Sequence, residues 1–221
     1  MSSAAAVVLG IGDLVDRASG LAVPGDRHIL GITGAPGAGK STVAAEIVDA
    51  LGPELAVLVP MDGFHLANVV LEALGRRDRK GAHDTFDGAG YTNLLQRLHR
   101  SSTVFDGRGA ADTVYAPEFR REIEEPIGSA LPIPAGVPLV VTEGNYLLLD
   151  NEPWNRARAL IDEVWFLAPG DDIRQHRLVL RHEAYGKTPE AARAWASGTD
   201  QRNAELIQST ATRADLIIRL Q

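Results

Sequence analysis

The sequence predicts an α/β fold in which helices cover both faces of a mainly parallel sheet. Short apolar strands alternate with helical patterns along the chain, which is typical of layered α/β domains. A glycine-rich loop stands between the first clear strand and the next helix, and acidic residues directly follow two later strands. Because ligands of such folds bind outside the carboxyl ends of the strands, we expect the functional site at that edge of the sheet.

Size and composition fit a single domain spanning residues 1–221. The chain is 45% hydrophobic and 23% charged, which is a globular composition. A formal net charge of −7 argues against a protein that grips a nucleic-acid backbone. The absence of cysteine excludes disulfides, thiolate metal sites and cysteine nucleophiles. The apolar run Ala4–Ile11 lacks a basic flank and no stretch is long enough to cross a bilayer, so we expect a cytoplasmic protein without nucleic-acid or membrane partners.

The first half of the chain predicts two strands and three helices. Strands are expected at His28–Thr33 and Ala56–Met61. Between them, apolar residues at helical spacing predict a helix over Thr42–Leu51, which a Gly-Pro pair ends. Further helices are expected at Phe64–Leu74 and at Tyr91–His99, the latter with one apolar face.

The second half predicts three strands and a basic helical region. Residues 101–133 carry scattered prolines and charges, which favour loops with one short strand and room for one helix. The strands are expected at 138–142, 163–167 and 215–220. A basic helix is expected over Asp171–Ala184, followed by a helix beginning at Thr188-Pro189, where an N-cap residue precedes a proline at the first helical position.

Residues 34–41 form a phosphate-binding loop of the pattern G-x-x-x-x-G-K-[ST]. The predicted strand before it and helix after it are the context this pattern requires. Its glycines let successive N–H groups face a phosphate, and the helix adds the positive end of its dipole. Lys40 is expected to reach the β- and γ-phosphates and Ser41 to hold Mg²⁺. We therefore expect ATP at Gly34, Ala35, Pro36, Gly37, Ala38, Gly39, Lys40, Ser41 and Thr42.

Two acids are candidates for chemistry beside this loop. Asp62 ends the second predicted strand, where it could accept a proton from a substrate hydroxyl that attacks the γ-phosphorus. The alternative is an Asp that caps the next helix. Glu143 follows the strand at 138–142, a position suited to orienting Mg²⁺ or its waters. A turn residue is the alternative there.

Basic residues form the third element of the candidate site. Arg174, Arg177 and Arg181 recur at a spacing that places them on one helical face. They could close over ATP and neutralise charge on the transferred phosphoryl group, although a solvated basic face would show the same spacing. The six histidines are scattered and form no spaced metal cluster. His65 is the most interesting of them because it is close to Asp62.

Taken together, these motifs resemble the phosphoribulokinase/uridine kinase family of P-loop kinases, which includes bacterial type I pantothenate kinases. The chain looks most similar to compact bacterial nucleoside/nucleotide kinase or fructokinase-like proteins. Residues 61–65 resemble the family's D-[SG]-F motif, and Glu143-Gly144 its E-G pair at a strand end. The stretch 79–87 and the ending 213–218 are similar to parts of pantothenate kinases.

The resemblance implies a P-loop NTPase three-layer sandwich with a small helical lid over about residues 171–198. It implies ATP and Mg²⁺ as cofactors, Asp62 as the catalytic base, and Lys40 and the lid residues Arg177 and Arg181 as catalytic groups. Mg²⁺ would be held by Ser41 and Glu143. The acceptor would contact Asp62, His65, Asp87 and Tyr115.

The identity of the acceptor stays open at this point. The Tyr-Ser-His of pantothenate kinases is Tyr115-Ala116-Pro117 here, and His182 stands where uridine kinases tend to have Asp. We therefore expect a kinase acting on a hydroxyl of a small metabolite, either a nucleoside, a sugar or polyol, or a pantothenate-like compound. The rivals are a GTPase-type switch, whose N-K-x-D motif does not occur, and a nucleotide-binding regulator without catalysis. The oligomeric state also stays open, with a homodimer as one option.

Overall fold

A computed structural model describes residues 6–100 and 113–221. Its strands are β1 (Val7–Leu9), β2 (His28–Thr33), β3 (Ala56–Pro60), β4 (Val114–Arg120), β5 (Glu125–Ile133), β6 (Leu139–Glu143), β7 (Glu163–Leu167) and β8 (Leu216–Leu220). Among these described residues, six strands form one parallel sheet in the order β1-β8-β7-β2-β6-β3. Strands β4 and β5 pair with each other as an antiparallel hairpin outside that sheet.

Helices lie on both faces of the sheet. They are α1 (Ile11–Ser19), α2 (Lys40–Leu51), α3 (Asn68–Ala73), α4 (Gly88–Arg100), α5 (Trp154–Arg158), α6 (Asp171–Ala184), α7 (Pro189–Ser197) and α8 (Thr199–Gln208). Successive strand residues point to opposite faces, so Ile29 and Phe166 join the core on the α4 and α5 side. Leu30 and Trp165 join the core on the α1 and α2 side. The predicted α/β sandwich with a mainly parallel sheet is confirmed.

Strand register brings the functional candidates to one edge. β6 lies between β2 and β3, and Glu143 at its end is paired with both Ile32 and Pro60. The carboxyl ends of these three strands are therefore level with one another. The phosphate loop after β2, Asp62 after β3 and Glu143 at the end of β6 consequently meet at the same sheet edge.

Several predicted elements are confirmed with their bounds, namely the strands His28–Thr33 and Glu163–Leu167 and the helix Asp171–Ala184. The N-cap at Thr188 is also present, because its side chain accepts a hydrogen bond from the backbone N–H of Ala191. The strand β1 and the helix α1 were not predicted from the apolar run at the N-terminus. A three-residue edge strand is too short to show a periodic pattern.

The prediction of a helix over Phe64–Leu74 is wrong for the first half of that range. Residues 61–64 form a 3₁₀ turn, and α3 starts only at Asn68. The backbone between them is held by the loop before α4, since Leu66 donates to the carbonyl of Thr85 and Asp87 donates to that of Phe64. Tertiary pairing with this loop therefore overrides the helical pattern.

The expectation for residues 101–133 is partly wrong. Residues 101–112 lie outside the described residues, whereas 114–133 form the two-stranded hairpin and not loops with one short strand. Pro117, Pro126 and Pro132 are compatible with strands here because each strand of a two-stranded ribbon has a free edge. The register shifts at Pro117, between Ala116 and Glu118.

No helix within the described residues is both long and apolar enough to cross a membrane.

Candidate active site

The phosphate loop has the conformation that its glycines predict. Gly37 and Gly39 have positive φ values of 81° and 96°, a region that favours glycine. Gly39 is the N-cap of α2, so the helix starts at Lys40. The Lys40 side chain is buried, and its Nζ donates to the carbonyls of Gly34 at 2.9 Å and Ala35 at 3.3 Å. The ammonium group is thus held against the loop that would receive the phosphates.

Lys40, Glu143 and Asp62 form one electrostatic unit. Burial lowers the pKa of Lys40 to about 8, although the negative charges of Glu143 and Asp62 oppose this shift. Burial and the charge of Asp62 raise the pKa of Glu143 to about 7, while the charge of Lys40 lowers it. Lys40 and Glu143 therefore sense each other's charge and that of Asp62, as residues around a single reacting centre would.

Ser41 and Glu143 provide a donor set that fits Mg²⁺. The Ser41 hydroxyl donates to Oε1 of Glu143 at 3.1 Å, and both oxygens belong to the hard ligand type that Mg²⁺ prefers. The next residue must be small, because a Cβ at Gly144 would lie 2.7 Å from Met61 side-chain atoms. No group of three or more acidic or histidine side chains suited to a cation occurs among the described residues. Water and phosphate oxygens would complete the shell, which is usual for Mg²⁺.

Asp62 faces the same pocket from the turn after β3. It does not cap the next helix, since the N-cap of α3 is Ala67. Its side chain is 31% exposed, and Oδ2 accepts a hydrogen bond from Nη2 of Arg121 at 3.2 Å. The hairpin passes directly over this turn, because a Cβ at Gly63 would lie 2.2 Å from the carbonyl oxygen of Pro117. Gly63 thus allows the close approach that brings Arg121 to Asp62.

His65 lies beside Asp62 in an aromatic stack. Its ring is 4.0 Å from the centroid of Phe86 and 4.7 Å from that of Phe119. Nδ1 is 2.8 Å from the backbone carbonyl of Asp62, so Nδ1 must carry the proton and donate it. Burial lowers the pKa of His65, which keeps the ring neutral near pH 7 and leaves Nε2 as an acceptor.

The three arginines of α6 differ in depth. Arg174 is 2% exposed and donates to the side chain of Gln201 at 2.6 Å and the carbonyl of Pro36 at 3.4 Å. Arg177 is exposed and reaches the carbonyl of Ala38 at 3.4 Å, without lining the pocket. Only Arg181 lines the pocket. The spacing of the three arginines along the helix could not predict that their environments differ.

Two predicted acceptor residues lie elsewhere. Asp87 accepts a hydrogen bond from the backbone N–H of Gly90 at 2.8 Å and thereby caps the start of α4. Tyr115 is 52% exposed on β4. Neither side chain lines the pocket, so the structure does not bring them to Asp62.

The pocket has a volume of about 430 Å³ and joins three surfaces. The phosphate loop and strand-end acids form one, and α7 with the turn before it forms another through Tyr185, Lys187 and Trp195. The third surface was missed by sequence reasoning and consists of side chains from the hairpin and from the segment before α4, namely Arg77, Lys80, Phe119 and Arg121. Lys80 carried a usable signal, because the chain has only three lysines and Lys80 falls in a motif of the resemblance.

The parallel sheet, the phosphate loop and the adjoining acids define a P-loop kinase. A model of the "Phosphoribulokinase / Uridine kinase family" matches residues 29–220. The chain belongs to this family.

Similar proteins include two that are named as kinases. An ATP-dependent kinase-like protein of Aspergillus versicolor is 40% identical over 61% of this chain and 77% of its own length. The protein YggC of Escherichia coli K12 is 33% identical over 89% of this chain and 79% of its own length. A crystal structure from Silicibacter sp. TM1040, described as a candidate fructose transport system kinase, superposes with a TM-score of 0.82 at 34% identity, covering 95% of this chain and 98% of the other.

Proposed function

We propose that this protein is an ATP- and Mg²⁺-dependent kinase that transfers the γ-phosphoryl group to a hydroxyl of a small metabolite. The observation that carries the proposal is the position of Asp62. Its carboxylate lines the same pocket as Lys40, Ser41 and Glu143, while its side-chain hydrogen bond is to Arg121 and not to the magnesium donor set. A phosphate site and a separate carboxylate therefore adjoin, which suits transfer to an acceptor.

On the nucleotide side, the loop amides and Lys40 would bind the β- and γ-phosphates. Lys40 would exchange its two carbonyl partners for phosphate oxygens, which are stronger acceptors for a partly desolvated ammonium. Ser41 and Glu143 would hold Mg²⁺, and the bound ion would neutralise charge on the phosphates. Arg181, which lines the pocket, would stabilise charge on the transferred group.

On the acceptor side, Asp62 would accept the proton of the attacking hydroxyl. A bond forms between that oxygen and the γ-phosphorus, the bond to the β–γ bridging oxygen breaks, and ADP leaves. Phosphoryl transfer of this type depends mainly on alignment and electrostatic stabilisation. The neutral His65, with Nε2 as an acceptor, is suited to holding a second hydroxyl beside the base.

The proposal is tested by an ATP-consumption screen over nucleosides, sugars, polyols, glycerate and pantothenate, with phosphorylated products identified by ³¹P NMR. We expect acceptor-dependent ADP formation at 1:1 stoichiometry with a phosphomonoester product. Lys40→Met is the matched inactive variant. Slow, acceptor-independent ATP hydrolysis would favour a switch, and tight nucleotide binding without turnover would favour a regulator.

A further inference from the structure

The basic segment before α4 divides into paired and unpaired cations. Arg76 and Arg79 both bind Asp84, at 3.6 Å and 2.7 Å. By contrast, Arg77 and Lys80 line the pocket, and no carboxylate of the described residues lies within ion-pair distance of either. The segment therefore neutralises the two cations that do not line the pocket and presents the other two to it.

Lys80 is the better placed of the two pocket cations. Its Nζ donates to Oδ1 of Asn68 at 2.7 Å and to the carbonyl of Glu124, and it lies 5.0 Å from the centre of the Phe119 ring. These partners fix its position but carry no full negative charge. Partial burial lowers the pKa of Lys80, although the charges of Glu124 and Glu125 oppose this shift. A partly desolvated cation held in this way gains more from a bound anion than an exposed one does.

This cationic surface lies on the acceptor side of the pocket. Arg121 contacts Asp62, and Phe119 connects Lys80 to His65 through ring contacts. Lys40, on the nucleotide side, senses the charges of Glu143, Asp62 and Arg181. Asp62 therefore stands between two sets of cations, one at the phosphate loop and one beneath the hairpin.

We propose that the phosphate acceptor carries an anionic group, either a phosphate ester or a carboxylate, which is bound by Lys80 together with Arg77 and Arg121. This inference rests on the proposed function. Asp62 and Glu124 line the pocket on this side, and the carboxylate of Glu125 acts on Lys80 without lining the pocket. Arg121 pairs with Asp62 at 3.2 Å, whereas Arg77 and Lys80 have no carboxylate within ion-pair distance among the described residues, so their positive charge is available to a bound anion. A neutral nucleoside or sugar would leave this charge without a partner.

The cluster also orients the acceptor. The Arg121 guanidinium touches Asp62 at 3.2 Å and has further N–H donors for a second anion. An anionic group that shares Arg121 with Asp62 brings the rest of the molecule next to the base. Binding of the anion and placement of the hydroxyl are thus the same event, which would raise the rate by orientation.

The first test compares acceptors that differ only in the anionic group. The pairs are glycerate with glycerol and pantothenate with pantothenyl alcohol for a carboxylate, and fructose 6-phosphate with fructose for a phosphate ester. We expect the anionic member to be used in preference. Lys80→Gln should lower kcat/KM for that member by about tenfold to a hundredfold, the effect of one charge-assisted hydrogen bond, with little change in the KM for ATP. Preference for a neutral member, or an equal loss on both members, would overturn the inference and leave the kinase assignment standing.

Matched controls are available in the chain. Arg79→Gln removes a cation adjacent to Lys80 that pairs with Asp84, and Arg120→Gln removes one adjacent to Arg121 that pairs with Glu118 at 2.7 Å. Both controls should keep the wild-type preference for anionic acceptors. Lys80→Arg should retain most of it, and melting temperatures establish that each variant is folded.

The second test does not depend on turnover. With the phosphate loop saturated by Mg²⁺ and a non-hydrolysable ATP analogue, inorganic phosphate and acetate are titrated calorimetrically as probes of the acceptor side. We expect saturable binding of at least one probe, weakened about tenfold or more in Lys80→Gln and unchanged in Arg79→Gln. Absence of binding to both probes, or equal binding in Lys80→Gln, would overturn the inference. Anion binding without transfer to any acceptor would overturn the proposed function and not the anion site.

Discussion

Replacing Arg174 by methionine should destabilise the protein without acting on the chemistry itself. Methionine keeps much of the buried aliphatic volume and removes the guanidinium. The guanidinium links three parts of the fold, since it contacts Asp171 in its own helix, Gln201 in α8 and the carbonyl of Pro36 in the phosphate loop. Arg174→Met should therefore loosen the attachment of α6 and α8 to the phosphate loop.

The contacts set the expected size of this effect. The bond to Gln201 is short at 2.6 Å and involves a charged donor, which is worth about 1.5–3 kcal/mol. The contact with Asp171 adds about 0.2–1 kcal/mol, because Asp171 is 77% exposed and water screens the pair. The contact with Pro36 is long at 3.4 Å and adds little. The sum is about 2–4 kcal/mol, which corresponds to a Tm decrease of about 4–16 °C for a chain of this size.

Thermal and urea unfolding of Arg174→Met and Arg177→Met measure this difference. Arg177 belongs to the same helix but is exposed, and its hydrogen bond to the carbonyl of Ala38 is long at 3.4 Å, so its variant should lose less than about 1 kcal/mol. ATP affinity should fall in Arg174→Met, because the carbonyl of Pro36 loses a partner. Equal stability of the two variants would refute the assignment of Arg174 as a structural link.

Three further predictions concern the turn at Asp62 and the groups beside it. Gly63→Ala should lower the free energy of unfolding by about 1–3 kcal/mol through overpacking and reduce turnover, because its Cβ would lie 2.2 Å from the Pro117 carbonyl oxygen. Gly128→Ala is the control, since a Cβ there would enter open space. Equal Tm values for the two variants would contradict the clash at Gly63. Glu143→Gln should raise the Mg²⁺ concentration for half-maximal activity by about tenfold to a hundredfold, and an unchanged Mg²⁺ titration would remove Glu143 from the metal site. Because burial lowers the pKa of His65 below its ordinary 6.5, the unfolded chain binds more protons at this group than the folded one as the pH falls below about 6.5, and the contribution of His65 to the free energy of unfolding should decrease there. Glu143, whose pKa is raised to about 7, contributes with the opposite sign, so the test is the difference in free energy of unfolding between the wild type and His65→Phe. That difference should shift against the wild type as the pH is lowered through about 6.5, and a difference that does not change with pH would contradict the cause given.

The sequence was sufficient for the features that depend on local pattern. The strand His28–Thr33, the phosphate loop and the helix after it follow one another within about 24 residues, and each carries its own signal. Asp62 and Glu143 could be placed at one edge because parallel strands present their carboxyl ends together. The register between Pro60, Ile32 and Glu143 confirms that placement.

The acceptor side could not be predicted in the same way. Arg121 lies 59 residues from Asp62 on a hairpin whose strands were expected to be mostly loop. Arg121 approaches Asp62 because Gly63 packs against Pro117, and this packing produces no periodic pattern in the sequence. Asp87 and Tyr115 were expected at the acceptor from resemblance alone, and helix capping and exposure on β4 account for where they lie.

The central claim, that Asp62 is the base of a phosphoryl transfer, is tested most directly by Asp62→Asn. Asparagine keeps the size of the side chain and can still hydrogen-bond the acceptor hydroxyl, but it cannot accept the proton. The paired measurement is ATP·Mg²⁺ binding by calorimetry and kcat with the acceptor identified by the screen. We predict nearly unchanged nucleotide affinity and a decrease in kcat of about 10²–10⁴. Full turnover in Asp62→Asn would contradict the account, and loss of ATP binding would instead assign Asp62 to the metal site or to the fold.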